Sequence, residues 1–227
     1  MATRALFVAM LGALLAGATP AQAQTKTFAL DSLSGVKPHK VNAEAVTYGG
    51  KKAIRVTEPA RAPGGNEDRL VFLEGVEFQD GVIEAEIAGA PGAGAVEGAR
   101  GIVGIAFRAA ADGSKFECIY LRPTNGRAED QVRRNHSVQY VSHPEFPWQR
   151  LRKEFPEKYE TYVDLAPGEW TQVRVEVKGA KARLYVHGNP QPALLVDDLK
   201  MGAAKGAVAL WIGPGTVAHF ANVRISR

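Results

Sequence analysis

Between Arg133 and Arg152 the chain reads RRNHSVQYVSHPEFPWQRLR, which sets four arginines, two histidines, a tyrosine and a tryptophan in 20 positions. Imidazoles titrate near neutrality and serve as general bases, guanidiniums donate in a plane, and aromatic rings stack on apolar faces. Saccharide recognition would use such a set, with a ring under the apolar face of the sugar and planar donors and acceptors around its hydroxyls. Arg134, His136, Gln139, Tyr140, His143 and Trp148 supply both kinds, and Arg122 and Asn125 flank the entrance. Acid/base chemistry on a saccharide would take His136 or His143 as the base, Glu117 or Asp130 to orient it, and Arg108 or Arg122 to steady developing negative charge. A plainer reading makes Phe146 and Trp148 a hydrophobic staple under a proline-braced loop, with the arginines solvated beside Glu145, Glu154 and Glu157.

Other chemistries find less footing. There is no Gly-x-Ser-x-Gly elbow and no His-Glu-x-x-His pair. GAPGAGAVEGARG (89–101) lacks the Gly-Lys-Ser/Thr ending of a phosphate loop, and GPGTVA (213–218) sits between strands where no helix can follow, so both read as turns. Cys118, the one cysteine, lies in an apolar strand as a small hydrophobe and has no partner for an internal disulfide. No cofactor is expected, and no ligand spacing supports a divalent metal such as calcium. A net charge of +4 over 227 residues is too mild to argue for a nucleic-acid partner.

The elements that must hold these side chains are legible as strands. MATRALFVAMLGALLAGATPAQAQ opens with one basic residue, Arg4, an apolar run from Ala5 to about Ala16, and the small-x-small triplet Ala21-Gln22-Ala23. That is the grammar of a cleaved secretory signal over 1–23, and the run is shorter than the roughly 20 apolar residues a spanning helix needs. A periplasmic or secreted protein with no membrane span is expected, its residues 24–227 forming one domain. In EWTQVRVEVKGAKARLYVHG, Val173, Val175 and Val177 alternate with Arg174, Glu176 and Lys178, and after Gly179-Ala180 the apolar side resumes at Ala182, Leu184 and Val186, which makes a β-hairpin. Further strands are expected at 53–57, 69–74, 81–88, 101–108, 115–122, 137–142, 206–213 and 216–226. No 12-residue stretch keeps a helical period, so the class is all-β, an antiparallel sandwich or barrel with few short helices.

Two strands suggest a groove. Val103, Ile105 and Phe107 oppose Gly104, Ala106 and Arg108, and Val208, Leu210 and Ile212 oppose Ala207, Ala209 and Trp211. A face of tiny residues ending in one large side chain leaves a trough, whereas a solvated face would carry Lys, Glu or Thr. For KFECIYLR (115–122) both parities stand open. Ile119 and Leu121 inward would bring Cys118, Tyr120 and Arg122 into the trough beside Arg108 and Trp211, but Phe116 and Tyr120 would serve equally well as core.

FQDGVIEAEIAG, GIAFR, FECIYLRP, GEWTQVRVEVKGAKARLYV and GAVALWIGPGTVAHFANVRIS, in that order over roughly residues 27–226, resemble the concanavalin A-like lectin/glucanase jelly rolls. The wording is nearest to the branch of 3-keto-disaccharide hydrolases (domain of unknown function 1080) and laminin G-like proteins. The resemblance implies a two-sheet antiparallel jelly-roll sandwich whose concave sheet often meets a sugar, and it speaks for fold more than activity. Laminarinase-type members carry Glu-x-Asp-x-x-Glu on one strand for retaining hydrolysis. Ile83-Glu84-Ala85-Glu86-Ile87 lacks the central Asp and the final Glu, and Glu84 and Glu86 read as the solvated side of an edge strand. The expectation is an exported domain binding a saccharide on the concave sheet and the 123–160 loop. Hydrolase or lyase action on a 3-keto or otherwise modified disaccharide is the alternative, and a structural or adhesive envelope domain meeting acidic polymers is a third. Oligomeric state is not legible.

Overall fold

The computed structural model describes residues 24–59 and 68–227, and the signal expected over 1–23 lies outside them. Fifteen strands, numbered in chain order, form two antiparallel sheets among the described residues. One sheet holds β1 (Thr25–Phe28), β3 (Asn42–Tyr48), β4 (Lys51–Thr57), β6 (Gly81–Pro91), β11 (Thr171–Lys178), β12 (Lys181–Val186), β13 (Leu194–Val196) and β15 (Thr216–Ser226). Its order is β13-β12-β11-β6-β15-β4-β3, with β1 paired to β15. The other holds β2 (Val36–His39), β5 (Leu70–Leu73), β7 (Val103–Ala109), β8 (Phe116–Leu121), β9 (Val138–His143), β10 (Glu160–Thr161) and β14 (Ala207–Ile212). Its order is β10-β9-β8-β7-β14-β5-β2. The fold is a jelly-roll sandwich. Two short helices, α1 (Gln131–Asn135) and α2 (Trp148–Glu154), flank β9. Among the described residues no helix is long and apolar enough to cross a membrane.

Alternation places Val173, Val175, Val177, Ile83 and Ile87 in the core from the first sheet. Glu84 and Glu86 do face outward, but β6 is a central strand between β11 and β15 rather than an edge. Their charges are met across the sheet: Glu84 is opposite both Arg174 and Arg224, and Glu86 accepts from Lys51 and Asn222. Cross-strand pairing of this kind lets a central strand carry acids on its outer face.

In the second sheet every residue of β7 and β8 is buried. Val103, Ile105, Ile119, Leu121, Val138 and Tyr140 share the inward face, as their register pairs show. Three expected site residues belong to this interior and not to the groove. Glu117 is fully buried, accepts from the Tyr140 hydroxyl at 2.6 Å and from the Met201 N–H at 2.7 Å, and burial raises its pKa above the ordinary carboxyl value. Tyr140, which also accepts from the Lys200 N–H at 2.8 Å, points inward for the same reason of strand parity. Arg108 is turned away by a β-bulge. Ala106 pairs with Ala209 but Ala109 pairs with Ala207, and Arg108 sits at φ 52 between them. The bulge re-aims its side chain, and the guanidinium, wholly buried, donates to the carbonyls of Gln79, Gly179 and Gly202 and to Asp80.

Candidate functional site

The opposite face of β7, β8, β9 and β14 carries Gly104, Ala106, Cys118, Tyr120, Gln139, Val141, Ala209 and Trp211, which are register partners. Here lies a cleft of about 710 Å³, a volume within the usual range for small-ligand sites. The small residues do not themselves form its floor. Trp211, Gly104 and Tyr120 lie side by side across three strands, so the two rings start about two strand spacings, ~9.6 Å, apart. They lean together over Gly104 until their centroids stand 5.0 Å apart. A Cβ on Gly104 would come within 2.5 Å of Tyr120 Cβ and 2.6 Å of the Ile119 carbonyl oxygen, so the ring pair requires glycine there. Tyr120, Trp211, Phe116 and Val141 line the bottom of the cleft.

The walls come from loops. Asp130 caps the N-terminus of α1 by accepting from the Arg133 N–H at 2.8 Å, and this helix presents Val132 and Arg133 to the cleft. Arg133 donates from Nε to Asn125 Oδ1 at 3.0 Å and from Nη2 to Thr124 Oγ1 at 3.1 Å. Arg122, 6 % exposed, donates to the His136 carbonyl at 2.9 Å, to the Tyr120 hydroxyl at 3.0 Å and to Gln139 Oε1 at 3.4 Å. Its guanidinium lies 5.0 Å from the Tyr120 ring centroid and 5.9 Å from that of Trp148. Arg152, 4.8 Å from the Trp148 centroid, forks onto Glu160 at 2.7 and 3.1 Å. His136 Nδ1 stands 2.8 Å from Glu160 Oε2, within ion-pair distance when the ring is protonated. Burial lowers the His136 pKa below its ordinary 6.5, Glu160 opposes that shift, and Arg152 and Arg122 reinforce it. The neutral ring is thereby favoured.

Of the residues expected in the site, Tyr120, Arg122, Asn125, His136, Trp148 and Trp211 line this cleft, as does Asp130. Gln139 lies under Arg122, buried, with its amide nitrogen donating to the Tyr140 and Tyr159 carbonyls. Arg134 turns outward onto Tyr162, donating to its hydroxyl at 3.0 Å. His143 stacks on Phe116 at 4.8 Å and is not part of the wall. Trp148 combines two of the sequence readings, because it packs against the core cluster and also faces the cleft. Arg100, Arg133, Arg152 and Glu160 were not singled out from the sequence. Arg133 and Arg152 stand in the arginine-rich run itself, and Asp130 three residues before Arg133 was a readable cap. Arg100 ends a Gly/Ala-rich loop with no periodic signal. Among the described residues no cluster of three His, Cys, Asp or Glu side chains is placed to hold a metal ion.

No family model matches the chain, and no curated protein sequence does. Solved structures do match in fold. The carbohydrate-binding module CBM66 from Bacillus subtilis superposes with a TM-score of 0.54 at 14% identity, over 84% of this chain and 95% of that one. Domain 4 of AbnA, a GH43 extracellular arabinanase from Geobacillus stearothermophilus in complex with arabinotriose, gives 0.53 at 12% identity over 91% and 94%. A protein of unknown function with a galectin-like fold from Bacillus subtilis gives 0.55 at 10% identity over 90% and 97%. Nothing in these likenesses singles out the 3-keto-disaccharide hydrolase or laminin G-like branch. What they share with this chain is the two-sheet jelly-roll fold.

Proposed function

We propose that the chain is an exported carbohydrate-recognition domain that binds a saccharide in the cleft over the outward face of β7, β8, β9 and β14. One observation carries the reading: an aromatic-floored cleft of about 710 Å³ is walled by donors, Arg122, Asn125, His136 and Trp148 among them, that several separate segments bring together. Two solved structures of the same fold support it, one a carbohydrate-binding module and one in complex with arabinotriose. Titration calorimetry of the purified chain against a panel of neutral and acidic oligosaccharides tests it. At least one should bind, and Trp148→Ala should weaken binding about tenfold, the worth of a stacked ring. A panel without a binder, or full affinity in Trp148→Ala, would count against the cleft.

A second reading, hydrolytic or lyase action on a modified disaccharide, rests on His136 alone. It is the imidazole in the wall, its neutral form favoured by burial and its Nδ1 2.8 Å from Glu160 Oε2. Proton abstraction by it is consistent with that state. Product formation from a bound saccharide that disappears in His136→Gln while binding persists would favour this reading. An absence of product with every bound saccharide would remove it.

A further inference from the structure

Resting on that reading, we propose that the saccharide is acidic, and that its carboxylate or sulfate is held by Arg100, Arg122 and Arg133. The three guanidiniums come from separate segments, the loop before β7, the end of β8 and helix α1, and converge on one cleft. Among the described residues none has a carboxylate partner. Arg100 donates to the Gly98 carbonyl, Arg122 to the His136 carbonyl, Tyr120 and Gln139, and Arg133 to Asn125 and Thr124. Eight arginines elsewhere among the described residues do pair with a carboxylate, Arg152 in the same wall among them.

A guanidinium as enclosed as Arg122 is normally compensated by an opposite charge. Here its hydrogen-bond partners are neutral oxygens. Burial pulls the Arg100 pKa below its ordinary range, and the charges of Arg133 and Arg122 act in the same direction. Among the described residues Asp130 is the acid lining the cleft, its side chain engaged by the first turn of α1, and Glu160 behind the wall is forked by Arg152. Planar guanidiniums match carboxylate and sulfate oxygens in fork geometry. Trp148, partly exposed in the same wall, is the ring on which a sugar beside that anion could stack.

The test is titration calorimetry with galacturonate and alginate oligomers and a chondroitin sulfate tetrasaccharide. Each is paired with its methyl-esterified or desulfated counterpart, and arabinotriose and single-stranded DNA complete the set, all at low and at physiological salt. One acidic oligosaccharide should bind, lose about tenfold or more when its charge is removed, and weaken with salt. The uronate and sulfate arms identify which anion is held. Arg100→Gln and Arg133→Gln, checked for folding by near-UV circular dichroism, should each cost about tenfold, whereas Arg150→Gln, on the Glu154 pair outside the cleft, should not. A neutral form binding as tightly as its acidic counterpart would overturn the proposal and leave saccharide recognition standing. Failure of every glycan would overturn both. DNA binding more tightly than any glycan would overturn the proposal in favour of a nucleic acid partner.

Discussion

Gly104 shows how a single atom decides what the cleft can be. Tyr120 and Trp211 reach each other only across a strand position with no side chain, and a methyl there would press on Tyr120 Cβ and the Ile119 carbonyl. Gly104→Ala is therefore expected to cost about 1–3 kcal/mol through overpacking, a fall of about 2–4 °C in Tm for each kcal/mol in a chain of this size. Its near-UV circular dichroism should also lose the signal of the stacked pair. An unchanged Tm and spectrum would mean that the rings do not depend on the glycine. Glu117 acts on stability through pH. Burial raises its pKa in the folded state above the ordinary value of 4.5, so the native state holds the proton more tightly than the unfolded chain does. Its contribution is fully present below about pH 4.5 and is lost as pH rises through the raised folded value. Glu117→Gln cannot lose a proton and should flatten that decline. Denaturation midpoints measured from pH 4 to pH 8 check it, and parallel curves for the two proteins would refute the burial argument.

Elements determine which side of a sheet a residue serves, and here alternation read from the sequence was right until the backbone broke it. The strands and the β11–β12 hairpin follow from a two-residue period, as does the inward face of Val103 and Ile105. The same rule forbids Gln139 and Tyr140 from sharing a site, because neighbours on one strand point to opposite faces. It also sends Glu117 inward with Tyr140. Arg108 is different: its bulge needs φ 52, and no sequence period encodes that. The loops were legible as excursions, but their pairings were not. Arg100 and Arg133 are 33 positions apart in a chain whose fold alone brings them to one wall. At the bulge, Arg108 ties the carbonyls of Gln79, Gly179 and Gly202 together between the sheets. Arg108→Met would leave these acceptors buried without donors, at about 1–3 kcal/mol for each. The variant should unfold at least about 6 °C lower, as a loss of about 3 kcal/mol implies, while an unchanged midpoint would show that water replaces the guanidinium.

For the whole molecule, the site is a junction of distant segments laid over one sheet. Residues 100–102, 122–136, 148–152 and 211–214 all contribute to the cleft; the Thr124 N–H to the Arg100 carbonyl and the Gly213 N–H to the Ile102 carbonyl tie three of them together, while Arg122 to His136 and Arg133 to Asn125 brace 122–136 from within. A ligand that fills the cleft must bridge these segments, so its binding free energy is added to the stability of the native state. At a hundred times its Kd it should raise the unfolding free energy by about 2.7 kcal/mol, which for this size is about 5–10 °C in Tm. The added protection from hydrogen exchange should be local, strongest in 122–136 and 148–152. The β11–β12 hairpin, which belongs to the other sheet, should exchange as before. A second hollow on that sheet, lined by Glu84, Glu86, Gln172, Arg174 and Tyr185, supplies the competing outcome. If the melting point rises but protection appears there, the saccharide sits on the opposite side of the sandwich, and the arginine-walled cleft is not its site.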